Sequence, residues 1–394
     1  MTPRDSPAVL IAGGGIAAIE AAIALRELAG DAVVIQLLAP EPSFWYRPAA
    51  VAKPFGLGEI THVDLGRIAD ALGAELTLGA LAFVDAGARR ARTAGGAELA
   101  YDALLIACGA VPTAAVEGAL TFRGPADAER MSGLLDELGH GDVHRVAFAL
   151  PRGAVWPLPA YELALMTAAW LAAHETAGVE LALATPEAWP LELFGRAAGD
   201  AVRSLLDEAG IAFHGRAAPD AVEAGWLRLD PDRSIPADRV VAVPRLVGPR
   251  LDGVPQTVDG FLLVDDHGRV AGLEGVFAAG DITQFPVKQG GIAAQQARAA
   301  AEAIAADAGI AVEPQPFRPV LRGLLLTGTR PYYLRHNIAR GGVADWAAEA
   351  PLWWPPAKVV GGRLLPFLAE LTGDELGAEP QPPPGGLAVE VELS

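Results

Sequence analysis

A glycine-rich turn near the N terminus is the feature that most restricts how this chain folds. The motif Gly13-x-Gly15-x-x-Ala18 follows the apolar run Ala8–Ala12 and leads into the alanine-rich run Ile16–Leu28. A strand, a tight turn, a helix and a second strand, Val33–Leu38, form the parallel unit that opens a doubly wound sheet. Glycines let the backbone approach a pyrophosphate, which the amides and dipole of the helix N terminus stabilise. The alternative is a structural turn that binds nothing.

Short strands follow this first unit. Leu81–Asp85, Arg89–Thr93 and Leu99–Tyr101 are separated by turn residues, a pattern that is typical of a small antiparallel meander. The apolar run Ala103–Ala107 predicts another strand. Further on, strands at 261–264 and 275–279 are expected to complete the first sheet.

A second unit of similar order lies between these parts. Strand Val146–Leu150, helix Ala160–Ala173 and strand Val179–Ala184 repeat the opening pattern. We therefore predict a first domain made of residues 1–117 and 246–312, a second domain of residues 118–245, and a C-terminal cap of residues 313–394 whose proline-rich tail near 381–386 is frayed.

Composition excludes several classes of function. The 394 residues carry a net charge of -18, which repels nucleic acid, and the longest apolar stretch is too short to cross a bilayer. A single cysteine, Cys108, excludes an intramolecular disulfide or a redox pair of cysteines. The single cysteine also suits a reducing compartment, so a cytoplasmic location is expected. The histidines lack metal-ligand spacing, so no metal is predicted.

Two further motifs carry a resemblance to a known family. The segments Gly275-Val-Phe-Ala-Ala-Gly-Asp281 and Tyr101-Asp-Ala-Leu-Leu-Ile-Ala-Cys-Gly109 resemble fingerprints of the FAD-dependent pyridine nucleotide-disulfide oxidoreductase superfamily. The segments Phe44–Pro48 and Pro190–Gly195 look most like the branch of sulfide:quinone oxidoreductases and type II NADH dehydrogenases. The resemblance implies an α/β fold with two Rossmann-like dinucleotide-binding domains, each with a mainly parallel sheet in three layers, a small antiparallel meander, and a C-terminal cap.

The resemblance also implies which residues bind FAD. The residues that the motifs assign to the pyrophosphate, the adenine and the ribitol are Gly13, Gly15, Ile16, Ala17, Leu81, Gly280 and Asp281. Glu41 stands two residues beyond the strand end at which a ribose-binding carboxylate is expected, so it either binds the ribose or is a solvated loop glutamate before Pro42. Cys108 and Gly109 lie in the middle motif beside the cofactor, and Cys108 is expected to be a packed small residue, with a reactive thiol as the alternative.

Several polar residues have two interpretations. Lys288 and Gln289 precede a helix start, so they either face the pyrimidine edge of the flavin, where positive charge stabilises the reduced form, or lie on the surface. Arg47 and Lys53 follow the second strand and either contact the flavin or remain solvated.

The second unit departs from the family pattern. Its turn is Pro151-Arg-Gly-Ala-Val-Trp-Pro-Leu-Pro-Ala160, in which prolines offer no amide and Trp156 replaces a glycine, so NAD(P)H is a candidate second cofactor without a normal site. Glu162 is either a catalytic group near the flavin or a first-turn glutamate stabilised by the helix dipole. Glu187 is a candidate for a second ribose, and a loop role is its alternative.

These observations predict an FAD-dependent oxidoreductase. It would pass a hydride or electron pair from NAD(P)H or a small donor to an acceptor such as a quinone, without cysteine chemistry. The alternative is a non-catalytic or sensing flavin-binding protein. Trp353-Trp354 and Leu364–Leu368 either touch a membrane surface or cap a core. The sequence leaves the oligomeric state open.

Overall fold

The structure is a computed structural model that describes residues 6–58, 62–230, 232–328, 332–339, 342–348, 358–359, 362–373 and 386–392. The strands are, in chain order, β1 (Ala8–Ala12), β2 (Val34–Ala39), β3 (Ser43–Trp45), β4 (His62–Asp64), β5 (Glu75–Leu78), β6 (Leu81–Asp85), β7 (Arg90–Thr93), β8 (Glu98–Ala100), β9 (Ala103–Ile106), β10 (Val111–Thr113), β11 (Leu120–Thr121), β12 (Arg145–Ala149), β13 (Glu180–Ala184), β14 (Ile211–His214), β15 (Ala218–Glu223), β16 (Trp226–Asp230), β17 (Arg233–Pro236), β18 (Arg239–Ala242), β19 (Arg245–Val247), β20 (Val276–Ala278), β21 (Val320–Leu326), β22 (Tyr332–Ala339), β23 (Gly342–Ala348) and β24 (Gly386–Glu392).

The α-helices are α1 (Ile16–Ala29), α2 (Leu65–Ala71), α3 (Ala128–His140), α4 (Leu158–Ala173), α5 (Gly195–Glu208), α6 (Gly290–Asp307) and α7 (Leu364–Thr372). Short 3₁₀ helices span Gly30–Ala32, Arg47–Val51, Lys53–Phe55, Pro125–Asp127 and Glu192–Phe194.

The first sheet is parallel and has the order β20-β9-β1-β2-β5. Every residue of β1 is buried, as expected for the central strand of a sheet covered on both faces. The helices α1 and α6 pack against each other through alanine-rich faces that allow close approach. Late in the chain, β20 returns to this sheet beside β9, as predicted for 275–279.

The predicted strand Phe261–Val264 is wrong. Leu262 and Val264 form only isolated bridges, and Leu262 pairs with Gln256 and Thr283 rather than with the first sheet. The reason is a tight turn in which the Asp265 carboxylate accepts hydrogen bonds from the amides of His267 and Arg269. This turn reverses the chain before a ladder can extend.

The second sheet repeats the parallel architecture, in the order β11-β18-β12-β13-β14. The predicted meander forms as β6-β7-β8, and a second antiparallel meander, β15-β16-β17, was not predicted. Where the chain passes between the two units, β10 and β19 pair in antiparallel orientation. The doubly wound α/β fold class is confirmed, and the domain boundaries remain predictions.

The C-terminal part contains a sheet of order β21-β24-β22-β23 and the helix α7. Of the tail predicted to be frayed near 381–386, only Gly386 lies within the described residues, and there the prediction is wrong, because Gly386 begins β24 and pairs with Leu326 of β21. Residues 381–385, Trp353 and Trp354 lie outside the described residues. Leu364, Leu365 and Leu368 pack into the core beside α1, so these leucines cap a core. Within the described ranges, we find no helix that combines the length and apolar character needed to cross a bilayer.

Candidate functional site

A cavity of about 600 Å³ opens at the carboxyl ends of the first sheet's strands. Its wall combines the glycine turn after β1, the ends of β9 and β20, the start of α6, and the turn before α4. Ligands of doubly wound sheets bind at this edge, and small-molecule sites commonly measure about 300–1,000 Å³. The fold therefore brings distant segments of the chain to a single site.

Gly13 and Gly15 of the first turn differ in the space that a side chain would find there. A Cβ on Gly13 would lie 2.2 Å from the carbonyl oxygen of Ala107, and the Gly13 φ of +151° also favours glycine. Gly15 begins α1 at a φ of −98°, and no described atom lies within 4 Å of where its Cβ would stand. Gly13 is thus required by strand packing, whereas Gly15 leaves free space beside the cavity.

The N terminus of α1 fits an anionic group. Gly15 is its N-cap, no side chain of the described residues caps it, and its first turn contains no acidic residue among them. Ile16 and Ala17, the first two helical residues, line the cavity. Free amides and the positive end of the helix dipole are the donors that a pyrophosphate needs. The predicted FAD thus fits the residues present.

Asp281 is brought to the cavity by a close contact between β20 and α1. Gly280, at a φ of +81°, would place a Cβ 3.0 Å from the Cβ of Ala17, and its amide donates to Gln296 at 2.8 Å. Burial raises the pKa of Asp281, and the charges of Lys288 and Arg47 oppose that shift. A carboxylate at the end of the strand can accept hydrogen bonds from the hydroxyl groups of a ribitol chain.

Lys288 is buried rather than on the surface. Its ammonium donates to the carbonyl of Thr283 and lies 4.1 Å from the ring centroid of Phe261. Burial lowers the pKa of Lys288 to about 8, although the nearby charge of Asp281 opposes the shift. Lys288 lines the cavity, so the surface alternative is wrong for this lysine.

Gln289 has a structural task. Its side-chain oxygen accepts from the amide of Ile292 at 2.9 Å, which caps α6, and its amide group donates to the carbonyls of Arg322 and Lys358. The residue still lines the cavity. The hydrogen bonds of Gln289 are explained by the cap of α6, and a contact between Gln289 and FAD remains a prediction.

The remaining predicted residues divide into two groups. Those that line the cavity are Glu41, Arg47, Leu81, Cys108 and Gly109. Lys53 is exposed in its 3₁₀ helix and is not part of the cavity wall, so the structure does not bring it to the site. Its solvated alternative fits the structure better.

Cys108 is partly buried and packs against a cluster of buried apolar residues. Its thiol donates to the carbonyl of Ala12 at 3.4 Å, and burial raises the pKa of Cys108 to about 12. A thiol that stays protonated is a poor nucleophile.

Glu162 forms an ion pair that the sequence did not reveal. Its Oε1 accepts from Lys358 Nζ at 2.7 Å and from the amide of Leu326 at 3.0 Å. The Glu162 side chain is 1% exposed and that of Lys358 12%, and both line the cavity. Because α4 starts at Leu158, two residues earlier than predicted, Glu162 lies beyond the first turn, and the interpretation as a first-turn glutamate is wrong. No motif marks Lys358, so its role was missed.

Glu187 is occupied by its own loop. Its Oε2 accepts from the hydroxyls of Tyr161 at 2.6 Å and Thr185 at 3.0 Å, and its Oε1 accepts from the amide of Glu192 at 3.0 Å. Burial raises the pKa of Glu187, and these hydrogen bonds oppose the shift. The loop role therefore fits this glutamate.

Over the ranges that are described, no three His, Cys, Asp or Glu side chains are grouped for a metal ion.

Comparisons with known proteins place this arrangement in a wider context. A family model described as pyridine nucleotide-disulphide oxidoreductase matches residues 160–303. No curated protein matches the sequence. The solved sulfide:quinone oxidoreductase from the hyperthermophilic bacterium Aquifex aeolicus is 21% identical, with 87% of each chain covered and a TM-score of 0.77.

Two other solved structures share the fold at lower similarity. A ferredoxin reductase from Rhodopseudomonas palustris is 19% identical over 88% of this chain and 89% of its own, with a TM-score of 0.64. The NDH2 of Plasmodium falciparum, solved in complex with NADH, is 16% identical over 71% of this chain and 65% of its own, with a TM-score of 0.58. At such identities the likeness is one of fold.

Proposed function

We propose that this chain passes electron pairs between two small molecules. Its predicted resemblance to the FAD-dependent pyridine nucleotide-disulphide oxidoreductases is confirmed by the family match and the shared fold. The predicted class, an FAD-dependent oxidoreductase, is confirmed with that resemblance. The donor and the acceptor, such as a quinone, are our proposal. The observation that carries it is the cavity in which the glycine turn, Asp281 and Lys288 meet.

The residues of the cavity have separate roles in this proposal. Bound FAD would supply the two-electron chemistry. The N terminus of α1, with Gly15, Ile16 and Ala17, would hold the pyrophosphate, and Asp281 would accept hydrogen bonds from the ribitol hydroxyls. Lys288 would supply a positive charge at the cavity, which favours a reduced, anionic cofactor.

The Glu162–Lys358 pair also lines this cavity. Glu162 joins α4 to β21 through the Leu326 amide, and it holds the ammonium of Lys358 at the cavity. A cation there can donate a hydrogen bond to a carbonyl oxygen of an acceptor such as a quinone.

The chemistry proposed here uses no cysteine. With one cysteine in the sequence, a sulfur carrier and a resolving thiol cannot coexist in one chain. The raised pKa of Cys108 also keeps that thiol protonated at neutral pH.

The proposal is tested by the spectrum of the purified protein and by its reduction without oxygen. We expect the visible absorbance of bound flavin, its loss when a donor is added, and its return when a quinone is added. Protein that folds but takes up no FAD would contradict the proposal. We expect a Gly15→Val variant to contain less FAD than the wild type, because the valine side chain would fill the free space at the start of α1.

A second candidate, a flavin-binding sensor, is favoured by one observation. The turn before α4 contains prolines where a second dinucleotide would need amides. A sensor would show the same flavin spectrum, but neither donors nor quinones would change it within the time of an enzymatic turnover.

A further inference from the structure

The turn of the second unit is closed by its own residues. After β12 the chain runs from Leu150 to Pro157 before α4 begins. Leu150 packs with Ala160 and Val243, and Ala154 lies against them. In the first unit the corresponding space beside Gly15 faces a cavity. In the second unit side chains fill the space at the strand end.

The start of α4 also presents few hydrogen-bond donors. Pro157 is its N-cap and Pro159 is its second residue, and neither has an N–H group. The amide of Ala160 already donates to the carbonyl of Pro157 at 3.1 Å. A pyrophosphate at a helix N terminus depends on these amides. The site that the N terminus of α1 offers is therefore not repeated at α4.

The acidic group at the end of the next strand is not available either. In such units a carboxylate there binds the ribose of a dinucleotide. Both oxygens of Glu187 accept hydrogen bonds from Tyr161, Thr185 and the Glu192 amide. Releasing this carboxylate would leave the buried hydroxyl of Tyr161 without its acceptor.

Arg152 is the residue of this turn that favours binding of a dinucleotide, because a guanidinium binds phosphate well. Its side chain donates to Asp230 at 2.8 Å, and the two side chains are 70% and 61% exposed. Such surface pairs are weak, so a phosphate is able to compete for Arg152. The experiment therefore includes an arginine variant.

We infer that the second unit binds neither the pyrophosphate nor the adenosine of a dinucleotide, and that the redox donor is recognised by its reacting ring alone. The same turn that is closed toward a pyrophosphate lends Val155 and Trp156 to the wall of the flavin cavity. The Trp156 indole packs edge-on against Phe194, at 5.8 Å between ring centroids, which fixes an aromatic surface there. A compact planar donor can pack on this surface. The inference rests on the proposed function, whose cavity it uses.

Calorimetric titration of the FAD-loaded protein with ADP-ribose tests the inference directly. ADP-ribose carries the pyrophosphate and both riboses without the nicotinamide. We expect no saturable binding tighter than about 1 mM. Titration of FAD into cofactor-depleted protein is the control, since it reports dinucleotide binding by the first unit. Binding of ADP-ribose tighter than that limit overturns the inference, and its loss in Arg152→Ala would identify the turn as the site.

A comparison of two donors supplies a second measurement. NADH and reduced nicotinamide mononucleotide each give one hydride from the ring to the flavin and become the oxidised nicotinamide. We expect their second-order rate constants for flavin reduction to agree within about tenfold, whether both are fast or both negligible. A larger preference for NADH overturns the inference. Failure of the proposed function looks different, because the protein would then carry no flavin to titrate.

Discussion

The ammonium group of Lys288 is buried in a mostly apolar environment. It has the carbonyl of Thr283, the face of the Phe261 ring and the charge of Asp281 around it, and its pKa is lowered by burial to about 8 from an ordinary value of 10.5. A lowered pKa means that the folded protein releases this proton at a lower pH than the unfolded chain does.

The sign of the resulting pH effect follows from this difference. Between about pH 8 and the ordinary value of 10.5, the unfolded chain holds the proton and the folded protein does not, so stability from this group rises with pH. Below about pH 8 both states are protonated and the unfavourable burial of the charge is fully present. We predict that the unfolding free energy of the wild type, relative to Lys288→Met, increases by about 1 kcal/mol per pH unit across this window.

Urea unfolding of both proteins at saturating FAD, near about pH 8 and near about pH 10, measures this increase. Lys53→Met is the matched control, because Lys53 is exposed and its variant should follow the wild type at both values. A difference between wild type and Lys288→Met that is constant with pH would show that the ammonium is not buried as described.

At the scale of elements, the turn between β1 and α1 separates packing from ligand binding. Gly13→Ala would drive a methyl group into the carbonyl of Ala107, at 2.2 Å, and disturb the β1–β9 contact. Gly15→Ala adds a methyl group with no described neighbour within 4 Å and at a permissive φ. We predict that Gly13→Ala lowers stability by about 2 kcal/mol or more, and that Gly15→Ala keeps its stability but weakens FAD binding.

Thermal unfolding of cofactor-depleted protein and FAD titration separate the two effects. The expected pattern is a lowered Tm for Gly13→Ala and an unchanged Tm with a raised Kd for Gly15→Ala. Equal FAD affinity in Gly15→Ala and wild type would mean that the pyrophosphate does not approach this turn.

Elements with strong local patterns were predictable from the sequence. The five apolar residues of β1 and the alanine-rich α1 gave bounds that differ from the structure by at most one residue. Phe261–Val264 shows the limit, because an apolar run cannot tell a strand from isolated bridges when a turn follows at Asp265. In β24, the alternation Leu387-Ala-Val-Glu-Val-Glu392 was a usable strand signal, and the nearby prolines hid it.

At the scale of the whole molecule, the site depends on contacts that no local pattern contains. The motifs predicted that Gly13, Gly15 and Asp281 share a ligand, and they do line the same cavity. Lys358 lies 196 residues after Glu162, and only the folding of the C-terminal part onto α4 brings them together. Similarly, Glu20 of α1 accepts from the amide of Leu364 at 2.9 Å, which ties α7 to the first unit.

The buried pair Glu162–Lys358 therefore links the second unit to the C-terminal part. Removing one member leaves the other charge with poor solvation, which commonly costs about 3–5 kcal/mol. We predict a loss of this size for Lys358→Met, and a comparable loss for Glu162→Gln, whose amide can still accept from Leu326. Denaturant unfolding of the FAD-loaded variants measures both.

The double variant Glu162→Gln/Lys358→Met decides whether the pair acts as a unit. With both members of the pair replaced, neither charge is left buried without the other, so we expect the double variant to be more stable than either single variant, with a coupling energy of about 2 kcal/mol or more. Arg90→Met/Glu98→Gln is the matched control, because that pair is exposed on the first meander and should couple by less than about 1 kcal/mol. Additive losses at Glu162 and Lys358 would mean that solvent reaches the pair and that it does not hold the C-terminal part to α4.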